Sequence, residues 1–217
     1  MSKARIAPCN SPPEESGGKR GPEAAPRLRL FKGPTPRVNV GWGVCTKLDL
    51  PTGQWPFNVA VAPSGRIALS ADSGNSAGSD GSVDTVSVID LEAKPPRIID
   101  RVVVGDGPEG LAISPKGDVA VAVILAGSNM KNAYFYHRNG TLSVLRIDGK
   151  KVTHVGVIEV GGMPEGAAFT PDGKYLLVGN YLDQDVSILK VDGSTIRNTG
   201  KRFKLPGHPA SMAMSKQ

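Results

Sequence analysis

Pro164–Leu189 reads PEGAAFTPDGKYLLVGNYLDQDVSIL, and the order of its parts decides the fold. Its first ten residues are one of three copies of a phrase. Pro56–Gly65 reads PFNVAVAPSG and Pro108–Gly117 reads PEGLAISPKG, and a truncated fourth copy, PASMAMS, starts at Pro209. Each full copy ends in Pro-x-Gly. Proline presets φ at the first central position of a turn, and glycine accepts a left-handed conformation. An apolar run comes after each turn: RIALSA at Arg66–Ala71, DVAVAVIL at Asp118–Leu125 and KYLLVG at Lys174–Gly179.

A second run in each unit alternates with period two: TVSVIDL at Thr85–Leu91, TLSVLRID at Thr141–Asp148 and DVSILKVD at Asp185–Asp192. A third run closes the unit: Arg97–Val104, Val152–Val160 and the poorer Thr195–Leu205. Short β-branched stretches bounded by Gly, Pro, Asp and Asn are strand signals. Each unit therefore reads as strands A, B, C and D of an antiparallel sheet, and almost no helix is expected. The prolines at 56, 108, 164 and 209 are spaced by 52, 56 and 45 residues. That is the period of a four-stranded propeller blade. The fold class is all-β: about three blades, plus single strands of flanking blades, in an incomplete ring, since a closed ring needs four to eight.

The phrase at Pro164–Leu189 resembles the YVTN-type repeat of seven-bladed propellers, a group that includes lactonase-like and YncE-like proteins. The resemblance covers about residues 45–217 and implies only the C-terminal part of such a ring. It fixes architecture and not activity, because the repeat is a structural code. Members of this group are often periplasmic or secreted. The first 30 residues hold no apolar h-region, so the chain as written shows no signal peptide.

Two pieces flank the three units. Cys45–Gly53 reads as the outer D strand of a preceding blade whose other strands are absent, and Gly207–Ser215 as the inner A strand of a following one. Open blade faces expose apolar surface and strand edges. The partners expected are a second copy or a complementary propeller half, with a protein or small-molecule ligand on the channel-mouth face. Residues 1–40, rich in Pro and Gly, read as a disordered basic tail, and residues 41–217 as the partial propeller. Of the net charge of +6, the tail carries +5 (eight Lys/Arg against three Asp/Glu) and the rest +1 (18 against 17). A propeller portion this close to neutral gives no argument for nucleic acid, and no run of 18 apolar residues suggests a membrane span. Cys9 and Cys45 have no metal-ligand spacing and read as free thiols or a disulfide.

In a propeller the D–A and B–C connections reach one face, around the mouth of the central channel. The D–A connection puts Phe57, Glu109, Glu165 and Ala210 at equivalent positions near the axis. Glu109 and Glu165 on adjacent blades are candidates for cation binding or general-base chemistry, or are plain turn residues. His208, at the start of the last A strand, is a third catalytic candidate. The longest B–C connection, Ala126–Gly140, gathers Tyr134, Phe135, Tyr136, His137 and Arg138 in a chain with only 5% aromatics. Exposed aromatics beside Arg are a contact signature. The binding candidates are Tyr134, Tyr136, His137 and Arg138 here, with Asn180 and Tyr181 in the third unit. No cofactor or metal motif occurs. Gly105–Gly110 satisfies GxGxxG but lies between two strands with no helix after it.

Three functional readings stand: a non-enzymatic binding or scaffold module, a lactonase-like hydrolase of a small anionic lactone, and a truncated product without independent function.

Overall fold

A computed structural model describes residues 49–74 and 78–214 in full, together with the backbone strands β1 (Arg27–Phe31) and β2 (Arg37–Gly41). Three four-stranded antiparallel sheets succeed one another along the chain. The first holds β4 (Pro56–Val61), β5 (Ile67–Asp72), β6 (Asp84–Asp90) and β7 (Arg97–Gly105). The second holds β8 (Pro108–Ile113), β9 (Val119–Ile124), β10 (Thr141–Asp148) and β11 (Lys151–Glu159). The third holds β12 (Pro164–Phe169), β13 (Tyr175–Asn180), β14 (Asp185–Asp192) and β15 (Thr195–Lys204). Within each sheet the spatial order is the chain order, so each is a meandering blade of strands A to D. No helix occurs among the described residues.

The Pro-x-Gly turns form as their chemistry requires. Gly65, Gly117 and Gly173 take φ of 69°, 76° and 69°. Their amides donate back to Ala62, Ser114 and Thr170 carbonyls at 2.8–2.9 Å. Blade faces alternate with period two, and the cores lie between blades. Leu69, Val86 and Val88 of the first blade pack against Ala120, Ala122 and Leu145 of the second. Val121, Leu142 and Val144 of the second pack in turn against Leu176, Val178 and Leu189 of the third.

The flanks differ from the sequence reading. A three-stranded sheet β1–β2–β3, with β3 at Asp49–Leu50, precedes the first blade, where a lone outer strand was expected. Strand β1 and all but the last residue of β2 lie within the segment 1–40 that composition assigns to a disordered tail. The other residues of that segment, with Cys9 and Cys45, lie outside the described residues. At the other end, residues 207–214 carry no strand assignment. An A strand is held by its B strand, and no further B strand occurs after it among the described residues. The segment still sits where an A strand would: a methyl group on Gly166 would meet the Met212 amide nitrogen at 2.7 Å.

Candidate functional site

Every A strand starts with the same irregularity. The A–B register slips between Pro56 and Asn58, between Pro108 and Gly110, and between Pro164 and Ala167. A bulge of this kind lifts a residue out of the ladder and re-aims its side chain. The residues lifted out are Phe57, Glu109 and Glu165, the last together with Gly166. The residue before each proline is left-handed: Trp55, Gly107 and Met163 have φ of 47°, 71° and 49°. Two residues after each B strand pin this turn. Ser73, Leu125 and Tyr181 donate to the carbonyls of Trp55, Gly107 and Met163 at 2.9–3.0 Å. Gly74, Ala126 and Leu182 donate to Gln54, Asp106 and Gly162 at 3.0–3.2 Å.

Glu109 and Glu165 come within interaction range of each other across the seam between the second and third blades. Glu109 is buried at 4% exposure, while Glu165 keeps partial access to solvent. Burial raises the Glu165 pKa above its ordinary value, and the interaction with Glu109 opposes that rise. The approach is close because position 110 is glycine: a Cβ there would stand 2.3 Å from the Glu165 carbonyl oxygen.

His208 is not part of this pair. Its Nδ1 lies 2.6 Å from the Tyr181 carbonyl and its Nε2 lies 2.9 Å from the Gln184 amide nitrogen. The Gln184 amide donates, so Nε2 accepts and Nδ1–H donates to Tyr181. The ring also stacks on Tyr181, with centroids 4.5 Å apart. The structure thus joins Tyr181 and His208 on the third blade's B–C connection.

The aromatic loop bridges blades. Phe135 turns inward, where a Cβ on Gly81 would meet its ring at 2.9 Å, and Tyr134 stands 96% exposed at its edge. Tyr136 is half-buried and His137 exposed. Arg138 reaches across to Asp183 of the third blade. Burial alone would raise the Asp183 pKa, but the bonds from Arg138 and the Gly162 amide and the charge of Arg202 bring it below the usual value. Asn180 is fully buried and its amide is spent inside the blade. Its Oδ1 accepts from the Gly161 amide at 2.9 Å, and its Nδ2 donates to Asp185 and Ser187 at 2.8 Å each.

One cluster escapes the sequence reading. Asp72, Asp80, Asp84 and Asp106 converge at the channel-mouth end of the first blade, with burial first and neighbouring carboxylates second pushing Asp84 up to about 6. The signal was present as the aspartates of SDGSVD (79–84) and GDG (105–107), but only the D–A fold brings them together. No group of metal-ligating side chains is found among the described residues. Because the folded pKa of Asp84 lies above the ordinary 3.8, its contribution to stability is present below about pH 4 and is lost as pH rises through 6. Asp84→Asn, whose amide oxygen still accepts from the Gly107 amide, should therefore raise the melting temperature at pH 7 and leave it unchanged at pH 3.5. Thermal melts at the two pH values check this, and equal midpoints at pH 7 would refute it.

Three solved structures share this arc of blades. One, described as a "putative 6-phosphogluconolactonase" from Bacteroides fragilis, superposes with a TM-score of 0.63 at 17% identity. A similarly described protein from Bacteroides uniformis gives 0.68 at 16%. The fold is that of a β-propeller. The periplasmic gluconolactonase of Pseudomonas aeruginosa gives 0.58 at 16%, covering 83% of this chain and 54% of its own. The chain spans about 60% of the length of the two Bacteroides propellers, which cover 91% and 90% of it. No protein-family model and no curated protein matches the sequence. At these identities the likeness concerns the propeller fold alone.

Proposed function

We propose that this propeller segment carries the acid–base pair of a lactone hydrolase, with Glu165 as the catalytic residue and Glu109 as its positioning partner. The observation that carries the reading is the juxtaposition of Glu109 and Glu165 at the bulged starts of two adjacent inner strands, which approach closely at Gly110. A general base works best with a pKa near the working pH, and burial moves Glu165 in that direction. Three of the solved propellers that share the fold bear lactonase descriptions, which is in keeping with the same chemistry.

Glu165, the more accessible of the two, accepts a proton from water as the water oxygen adds to the lactone carbonyl carbon. The ring C–O bond then breaks, and the same proton passes to the leaving alkoxide. The product is the open hydroxy acid. Glu109, buried beside it, keeps Glu165 oriented. Arg138 is engaged by Asp183 and the His208 ring by Tyr181 and Gln184, so the substrate proposed is an uncharged hydroxylated lactone.

Glucono-δ-lactone hydrolysis measured by pH-stat tests this. Acid release should exceed the spontaneous rate and rise with pH through a value above 4.5, the ordinary Glu pKa. Glu165→Gln should lower it by about 100-fold or more, while Glu109→Gln should shift the pH profile. Release at the spontaneous rate overturns the reading. A second reading, ligand capture without turnover, is supported by the 96% exposure of Tyr134 on the bridging loop. Calorimetric binding of the same lactone without acid release would favour it.

A further inference from the structure

The first inner strand departs from the other two at the very positions that build the candidate site. Pro56, Pro108 and Pro164 pair with Asp72, Ile124 and Asn180, the last residue of each B strand, and the slip follows at once. Asn58 resumes the ladder opposite Ala71 as Gly110 does opposite Val123. Phe57 therefore stands where Glu109 and Glu165 stand, and Asn58 where the repeat has Gly110 and Gly166.

At the two glycines the seam leaves no room for a side chain. A Cβ on Gly110 would lie 2.3 Å from the Glu165 carbonyl oxygen, and one on Gly166 would lie 2.7 Å from the Met212 amide nitrogen. The repeat aims position 58 the same way, from the first blade toward the start of β8, where Glu109 lies. A whole carboxamide occupies that direction. Asn58 is half-buried, and its carboxamide has no hydrogen-bond partner among the described residues. By contrast Asn139, Asn180, Gln184 and Asn198 each meet a protein acceptor. Packing does not call for an amide here, since the second and third blades close with glycine.

We propose that the Asn58 side-chain amide donates the hydrogen bond that holds the lactone's ring carbonyl oxygen, on the other side of Glu109 from Glu165. The assignment rests on the lactone reading of the Glu109–Glu165 pair. The first blade brings Phe57 and Asn58, which are uncharged, and the next two bring carboxylates. A carbonyl oxygen is an acceptor that a carboxylate repels, so it turns to Asn58, while the ring hydroxyls, as donors, turn to the carboxylates. The carbonyl carbon is then left toward the water at Glu165. As the water oxygen adds to that carbon, the carbonyl electron pair moves onto the oxygen held by Asn58. It returns when the ring C–O bond breaks.

Two variants test this. Asn58→Gly installs the residue of the sister blades, so the chain should still fold with a cooperative melt. Asn58→Asp keeps the shape and replaces the donor with an acceptor. On glucono-δ-lactone, kcat should fall about 100-fold in each, the loss typical of one oxyanion donor. The pH profile of Asn58→Gly should keep its wild-type midpoint. Calorimetric binding of glucono-δ-lactam, which keeps the ring carbonyl and resists hydrolysis, should weaken about 3- to 10-fold, as for one neutral hydrogen bond.

Turnover unchanged in Asn58→Gly overturns the proposal and leaves the lactone reading standing. A shifted pH midpoint also overturns it, since Asn58 would then act through the carboxylates. Wild-type protein that releases no acid overturns the hydrolase reading instead. The donor assignment is then decided by the lactam: weaker binding in Asn58→Gly upholds it, and equal binding or none by the wild type overturns it.

Discussion

Gly110→Ala should cost about 3 kcal/mol of stability or more, seen as a lower urea midpoint or as failure to fold. The added Cβ would meet the Glu165 carbonyl oxygen at 2.3 Å and the Val123 side chain at 2.7 Å. Neither is the loose end of a flexible side chain. The backbone atom belongs to the inner strand of the next blade, so relief means prising two blades apart, and overpacking of a rigid core costs about 1–3 kcal/mol or more. Gly166→Ala is the internal control. Its Cβ would meet Ser211 and Met212, which belong to a segment held by no ladder, so the isolated chain should tolerate it better. Equal losses for the two variants would show that the close approach at position 110 is not what sets the cost.

Asn180→Asp should destabilise the chain by about 2–4 kcal/mol at pH 7, an effect of the size expected for an uncompensated buried polar group. The reason is visible by comparing blades. Asn180 stands opposite Asp185, and its amide donates to that carboxylate. In the first blade the same position is Asp72, opposite Thr85. Asp72 is surrounded by donors: the Gly53 amide and the hydroxyls of Ser70, Ser87 and Thr85. The second blade avoids the question with Ile124 opposite Thr141. A carboxylate is therefore tolerated once per pair, not twice. Asp185→Thr should rescue Asn180→Asp in a double-mutant cycle, despite losing the contacts of Asp185 with Lys204 and Arg202. A double variant no more stable than Asn180→Asp alone would refute this pairing rule.

The blades were legible because each carries its own punctuation. Pro63-Ser64-Gly65 and its repeats set the A–B turns, and period-two runs such as Thr85–Leu91 set the strands. The bulge at Phe57, Glu109 and Glu165 was not legible, since a slip of register is a property of two paired strands and leaves no mark in either. The equivalence of Glu109 and Glu165 could be read from the repeat, but their juxtaposition required the spacing across the seam. Strand β1, Arg27–Phe31, did alternate Leu28 and Leu30 with Arg27 and Arg29. Four alternating residues are too short a pattern to stand out as periodicity among the Pro, Gly and charge around them. His208 was placed near the axis by its neighbourhood in sequence, while the stacking surface of Tyr181 lay on a different connection.

The paired amide bonds that pin every D–A turn act at the first two residues of the B–C connection, at Ser73 and Gly74, Leu125 and Ala126, and Tyr181 and Leu182. The blade is closed before the connection begins its excursion. The remainder of the loop is free to be as short as 183–184 or as long as 127–140. Foreign peptide segments spliced in after those two residues should therefore leave the blades beneath them undisturbed, which makes this face a natural platform for loop grafting.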